Sequence, residues 1–185
     1  VNEDDAAQVR SCLDGNTEAM RAFVARFQNI IFGLCYRMLG HRQDAEDVAQ
    51  EVFVRAFRSL HQWDPDRTLK PWLLTIAANR CRTFLSKRAR RPVPSEFAAD
   101  LAISQSVEEL QDLGEELQNA ISLLRDDHRT CFILFHQENM SCQEIGDILD
   151  RPEGTIKTWL HRSRQELAAN LRQRGIVPEV RYESR

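Results

Sequence analysis

These 185 residues are expected to form an all-α protein: two small helical domains joined by a flexible linker, the C-terminal one containing a helix-turn-helix. Three observations lead there. Glycine and proline are scarce, at 7 and 6 residues, and apolar residues recur at helical spacing, with no hairpin signal and no internal repeat. The charge reverses sign along the chain although the net is only −3. The run Pro152-Glu153-Gly154-Thr155-Ile156-Lys157-Thr158-Trp159-Leu160-His161-Arg162-Ser163-Arg164 has one apolar face and one hydrogen-bonding, positively charged face. A helix lying in a DNA major groove needs that division. The expected boundaries are 1–91 for the first domain, 92–115 for an acidic linker, 116–174 for the second domain and 175–185 for a tail.

Taken in order, Asp14-Gly15-Asn16 is a turn, and Asn16 caps a helix through Phe23, Phe27, Ile30 and Ile31 toward Leu39. Gly40 stops it. Asp44 is expected to cap the next helix, with Asp47 in its first turn, where carboxylates suit the dipole. Its apolar stripe is Ala45, Val48, Ala49, Val52, Phe53, Ala56 and Leu60; Asp47, Gln50, Glu51, Val54, Arg55 and Arg58 face outward. His61 to Leu69 reads as a polar loop. Lys70-Pro71 opens a helix through Trp72, Leu73, Ile76, Ala77, Phe84 and Leu85, which ends in a basic run. Pro92-Val93-Pro94-Ser95 breaks it. Ser106 and Glu109 form an expected capping box. Leu117, Ile121, Leu124, Cys131, Phe132, Leu134 and Phe135 supply helices that support the C-terminal pair. In that pair Ser141 and Glu144 form a second capping box, and Ile145, Ile148 and Leu149 give the first helix its buried face. At about 100° per residue, Ile156, Leu160, Ser163, Leu167 and Leu171 share one stripe of the second.

Charge distribution says more than net charge. Arg80, Arg82, Lys87, Arg88, Arg90 and Arg91 fall in a stretch without acids. From Pro92 to Asp127 nine acids oppose Arg125 alone. After Asp150 the balance is basic again. Two basic blocks imply two nucleic-acid surfaces, with a middle that avoids or imitates nucleic acid. The cysteines, Cys12, Cys35, Cys81, Cys131 and Cys142, are odd in number and form no CxxC pair, which fits reduced thiols. His128, Cys131, His136 and Cys142 match no zinc spacing, so neither metal nor cofactor is expected. No stretch approaches the roughly 20 apolar residues of a membrane span. The acidic start (Glu3, Asp4, Asp5) argues against a secretory signal, and a cytoplasmic location is expected.

Two motifs in order carry a family resemblance. One is Asp44-Ala45-Glu46-Asp47-Val48-Ala49-Gln50-Glu51-Val52-Phe53 followed by Pro71-Trp72-Leu73-Leu74-Thr75-Ile76-Ala77-Ala78-Asn79-Arg80; the other is Ser141 to Arg164. From about Asn16 to Leu171 the chain resembles bacterial RNA polymerase sigma factors of the extracytoplasmic-function group. The first motif is similar to the family's second conserved region and the other to its fourth.

The resemblance implies roles by position. Asp47, Gln50 and Glu51 would dock on the clamp helices of core RNA polymerase. The His61–Leu69 loop, with Trp63 and Asn79, would hold a flipped base of the −10 element; extruding a base costs a few kcal/mol, which a polar pocket with aromatic neighbours recovers. Trp72 is expected in the core, and Trp63 is left open between core and stacking. Arg80, Arg82, Lys87 and Arg88 would follow phosphates, a salt-dependent and largely sequence-independent contact. In the second domain Lys157, Thr158, His161 and Arg162 match the −35 readers and their neighbours, while Ser141, Arg151, Thr155 and Arg164 suit phosphates. Trp159 and His161 depart from residues common among relatives, so the −35 sequence is not transferable. An anti-sigma factor, often membrane-linked in this family, would hold the protein silent. No small-molecule substrate is implied.

The main alternative is a stand-alone helix-turn-helix regulator, which would bind duplex DNA without polymerase. A nuclease using Asp44, Glu46 and Asp47 fails on geometry, because neighbouring carboxylates at a helix start do not converge on one metal. No other catalytic constellation is present. A pure interaction module would leave the two basic blocks unexplained.

Overall fold

A computed structural model describes residues 3–90 and 108–176, and every element in that range is helical. The first domain holds α1 (Glu3–Leu13), α2 (Thr17–Leu39), α3 (Arg42–Ser59), a 3-10 turn at Leu60–Gln62, and α4 (Leu69–Arg90). The second holds α5 (Glu108–Ser122), α6 (Asp126–His136), α7 (Cys142–Leu149) and α8 (Glu153–Gln173).

The first core forms around α2. Its residues Phe23, Phe27, Ile31, Leu34 and Met38 recur every three or four positions and are buried against Val48, Val52 and Ala56 of α3 and Leu73, Leu74, Ala77 and Cys81 of α4. Each large side chain contributes about 1.5–3 kcal/mol by leaving water. Asn16 caps α2 as expected, its side-chain oxygen accepting from the Glu18 and Ala19 amides at 2.9 and 3.1 Å. Gly40 ends the helix with φ 73°, a left-handed geometry that favours glycine.

Several expectations are corrected here. His41, not Asp44, caps α3: its Nδ1 accepts from the Asp44 amide at 3.4 Å, and Asp44 lies inside the first turn. The acidic N-terminus is a helix of its own, α1, with Val9 and Cys12 buried. Of the two tryptophans, the one expected in the core, Trp72, is the less enclosed, and the one left open, Trp63, is in the core. Trp63 is buried, 6% exposed, whereas Trp72 is half-buried and lines a groove with Met140 and Ile148 of the second domain. Helix α5 begins at Glu108, so 108–115 of the expected linker is helical. The rest of that linker, Ser106 of its capping box and most of the tail lie outside the described residues.

Asp5 explains why α1 belongs to the fold. It is 2% exposed, pairs with Arg26 of α2 at 2.7 Å, and accepts from the Leu69 amide at the start of α4 at 3.4 Å. One carboxylate from α1 thus serves an orphan donor at the N-terminus of α4. Asp5→Ala is expected to lower stability by about 1–3 kcal/mol, because a buried amide loses its acceptor. Chemical denaturation checks this, and an unchanged midpoint would show the pairing to be idle.

The second core comprises Ala120, Ile121, Leu124, Cys131, Ile133, Leu134, Ile145, Leu149, Ile156, Leu160 and Leu167. The two domains also meet. Glu138, just after α6, is 8% exposed and pairs with Arg37 at 2.6 Å and Lys70 at 3.1 Å. Burial pulls the Arg37 guanidinium below the usual arginine range, and the Glu138 charge opposes that shift. Gln118 donates to the Arg37 carbonyl at 3.2 Å and Arg129 to the Met38 carbonyl at 2.8 Å. Those carbonyls belong to the last turn of α2, which has no partners within its own helix.

Candidate nucleic-acid interface

The turn between α7 and α8 sets the geometry of the C-terminal helix pair. Ser141 begins α7 with the expected reciprocal cap: its hydroxyl accepts from the Glu144 amide at 3.2 Å, and Glu144 accepts from the Ser141 amide at 2.8 Å. Asp150 closes the helix in left-handed geometry, φ 53°. The Arg151 amide then donates to the Gly146 carbonyl at 2.9 Å. The chain folds so tightly here that a Cβ on Gly146 would lie 2.6 Å from the Arg151 carbonyl oxygen. Pro152 sits at the cap position of α8.

Along α8, Ile156, Leu160, Ser163 and Leu167 are buried and Leu171 is half-buried. Ser163 is tolerated in the stripe because its hydroxyl lies 2.7 Å from the Trp159 carbonyl. The opposite face presents Lys157, Thr158, His161 and Arg162, all exposed. They are not equivalent. Lys157 is paired with Glu153 at 2.7 Å, and the Thr158 hydroxyl donates to the Gly154 carbonyl at 2.9 Å. His161 and Arg162 have no hydrogen-bond or ion-pair partner among the described residues.

Around them, Ser141 and Arg151 are exposed and Thr155 half-buried. Arg164 donates to His136 Nε2 at 3.3 Å and lies 5.7 Å over the Phe135 ring. Burial, then the Arg164 charge, lowers the His136 pKa, which keeps this nitrogen an acceptor. Trp159 is half-buried with its ring 5.9 Å from that of buried His128, so it packs toward α6.

In the first domain α3 and α4 lie side by side. Asp47, Gln50 and Glu51 are exposed on α3 and line an open groove with Val54, Arg55, Arg58, Ser59, Arg80 and Lys87. The acidic and basic faces are joined across it: Arg80 forms an ion pair with Glu51, and Arg88 with Asp44 at 3.4 Å. Sequence reasoning kept these residues on separate surfaces. It also left Arg55 and Arg58 as solvated positions, although Arg55 stands one helical turn from Glu51.

A second groove is lined by Asn79, Arg82, Thr83, Ser86 and Lys87 of α4 together with Arg125, Asp126 and Asp127 of the second domain. Asn79 and Lys87 are exposed, and Arg82 pairs with Asp127 at 3.2 Å. Arg125 was not expected in this surroundings; its signal was only that it is the one base in an acidic stretch. Trp63 does not reach the groove: it is in the core. The side chain of Arg90 and all of Arg91 lie outside the described residues.

Four of the five thiols are withdrawn from both faces, and the fifth, Cys142, is half-buried at the start of α7. Cys12, Cys35, Cys81 and Cys131 are buried. Burial, followed by the charge of Asp127, pushes the Cys131 pKa up to about 12. Cys81 is raised by hydrogen bonding to Cys35 and then by burial. Since the thiolate is the reactive form, burial at Cys81 and Cys131 works against reaction there.

Comparison with known proteins places these elements. A family model for Sigma-70 region 2 matches residues 23–91, and one for Sigma-70, region 4 matches residues 114–167. The ECF RNA polymerase sigma factor SigW of Bacillus subtilis is 32% identical over 180 residues, covering 89% of this chain and 95% of its own length. The ECF RNA polymerase sigma-E factor of Haemophilus influenzae is 30% identical over 174 residues, covering 87% and 92%. Among solved structures, the sigma factor RpoE in complex with the anti-sigma factor NepR from Bartonella quintana superposes with a TM-score of 0.69 at 23% identity, covering 82% of this chain and 96% of that one. CnrH in complex with the cytosolic domain of CnrY does so with a TM-score of 0.66 at 24% identity, covering 90% and 96%. At those identities the two structures speak for the fold.

Proposed function

This chain belongs to the extracytoplasmic-function group of RNA polymerase sigma factors, and from that premise we propose which of its faces carries each part of promoter recognition. As a sigma factor it is a specificity subunit of core RNA polymerase and not an enzyme. It acts with polymerase on promoter DNA rather than as a stand-alone regulator.

The exposed face of α8, with Thr158, His161 and Arg162 at its centre, reads the −35 duplex. Ser141, Arg151, Thr155, Lys157 and Arg164 position it on the phosphates. Asn79 and the cations Arg80, Arg82, Lys87 and Arg88 of α4 capture the opened −10 strand. Asp47, Gln50 and Glu51 of α3, with the half-exposed Val54 one turn further along, dock on the polymerase clamp. The observation that carries this reading is the separation of two hydrogen-bonding, cationic helix faces, α4 and α8, onto two domains. A −35 duplex and a −10 single strand need two such anchors.

Two of the similar solved structures hold an anti-sigma factor or the cytosolic domain of a second protein. An anti-sigma partner, membrane-anchored in the manner of many relatives, is the corresponding regulator here. No helix among the described residues is long and apolar enough to cross a membrane, and the place of work is the cytoplasm with polymerase.

The test adds the purified chain to core polymerase and a promoter library and counts transcripts. Promoter-specific initiation is expected, and its absence would end the assignment of faces. Asn79→Ala is expected to reduce heparin-resistant open complexes about tenfold, the value of one lost hydrogen bond of ~1–1.5 kcal/mol, with −35 duplex binding unchanged. Undiminished open complexes would remove Asn79 from the −10 site.

A further inference from the structure

His136, the last residue of α6, lies outside the helix pair of the reader, yet it touches that pair through one bond. Its imidazole packs on two rings of its own helix: Phe132, tilted, at 4.5 Å between centroids, and Phe135, edge-on, at 5.0 Å. One nitrogen of this supported ring, Nε2, accepts from the Nε of Arg164 at 3.3 Å. The Arg164 guanidinium carbon also lies 5.7 Å over the Phe135 ring, within the reach of a cation–π contact. Burial and the Arg164 charge hold the His136 pKa below the usual histidine range, so at neutral pH the ring keeps a lone pair for its partner. An arginine on an exposed helix face otherwise samples many rotamers. Here α6 supplies a hydrogen bond and a flat surface that select one.

Arg164 stands two helical turns beyond Lys157 on the same flank of α8 and is exposed. Lys157 is paired with Glu153. The terminal nitrogens of Arg164, by contrast, have no partner among the described residues. A guanidinium presents two parallel donors to an oxyanion, either Nε with one Nη or the two Nη together. With Nε given to His136, the terminal pair remains. We propose that His136 is a positioning residue for −35 DNA: on the reading of Arg164 as a phosphate contact, the imidazole fixes the guanidinium with its terminal nitrogens free for one backbone phosphate before the duplex arrives. Arg162 has no such support and keeps the freedom to adapt to a base edge. The pre-set arginine thus serves the sequence-independent contact and the free one serves selection.

Two substitutions separate the acceptor from the ring. His136→Phe keeps an aromatic ring against Phe132 and Phe135 and removes the acceptor. His136→Gln gives up the ring and restores an acceptor at a similar reach. Holoenzyme reconstituted with core polymerase is titrated at neutral pH with fluorescein-labelled duplexes: the strongest promoter from the transcription library and variants of its −35 bases. His136→Phe is expected to bind every duplex about three- to tenfold more weakly, the cost of a long side chain ordered only on binding. His136→Gln is expected to match wild type. Arg164→Ala is expected to weaken all duplexes and to lower the slope of log affinity against log salt by about one. With Arg164 already removed, His136→Phe is expected to change nothing further. Wild-type binding by His136→Phe overturns the proposal. An equal loss in His136→Gln does so as well, because it traces the effect to the ring, and so does a further loss in the Arg164→Ala background, which traces it to the fold. If Arg164→Ala binds as wild type does, the phosphate reading of Arg164 falls and the positioning role with it. If Arg164→Ala weakens binding and His136→Phe does not, the positioning role alone fails.

Discussion

Gly146→Ala is expected to destabilise the C-terminal domain by about 1–3 kcal/mol, the usual cost of forcing a methyl group into a filled space. The new Cβ would stand 2.6 Å from the Arg151 carbonyl oxygen, closer than real Cβ atoms approach a neighbour. The obstacle is backbone, fixed by the Arg151-to-Gly146 hydrogen bond at 2.9 Å, so no side chain can swing aside. The turn would have to widen, and α8 would tilt relative to α7. Duplex −35 binding is expected to weaken together with stability. Gly154→Ala is the control, because nothing lies within 4 Å of a Cβ there. In a helix that change is neutral or stabilising by up to about 1 kcal/mol. Unfolding curves of both variants decide the matter: if Gly146→Ala is as benign as Gly154→Ala, the close approach does not govern the turn.

Arg162→Ala is expected to lower discrimination at one −35 base pair by about 1–3 kcal/mol, or roughly 5- to 150-fold. The guanidinium is exposed and has no partner within the described residues, so both of its donor edges are available to a guanine. Lys157 is the useful contrast. Its ammonium already pairs with Glu153 at 2.7 Å, and its removal should cost less and affect all sequences alike. The measurement is competition between a preferred −35 duplex and single-base variants, with affinity for core polymerase followed in parallel. Core affinity is expected to stay constant. An equal loss on every sequence would make Arg162 a phosphate contact.

How much of this could be read from the chain depended on the range of the interaction. The α2 cap at Asn16, its glycine stop, and the Ser141–Glu144 box were legible because each joins residues within four positions. The same holds for the buried stripe of α8. The family resemblance supplied the roles of positions whose chemistry alone would pass for solvated surface, Asp47 and Gln50 among them. Contacts made in tertiary structure were not legible. The meaning of Asp5 depends on Leu69, 64 residues away, and that of Glu138 on Arg37, 101 residues away. A helix starting with three acids looks like a solvated terminus until its partner is known. Trp63 has a polar neighbourhood in sequence and Trp72 an apolar one, yet the fold buries the first and leaves the second half-exposed beside Met140 and Ile148, which local sequence does not reveal.

The Glu51–Arg80 pair has a bearing on how variants of this protein should be interpreted. One partner belongs to the helix proposed to face polymerase and the other to the helix proposed to face DNA, yet each is the other's counter-ion. Truncating Glu51 leaves an unneutralised cation on α4, and truncating Arg80 leaves an unneutralised acid on α3. A scan of single substitutions would therefore score each position on both tasks and report two roles where the chemistry has one shared bond. A double-mutant cycle on the two residues separates them.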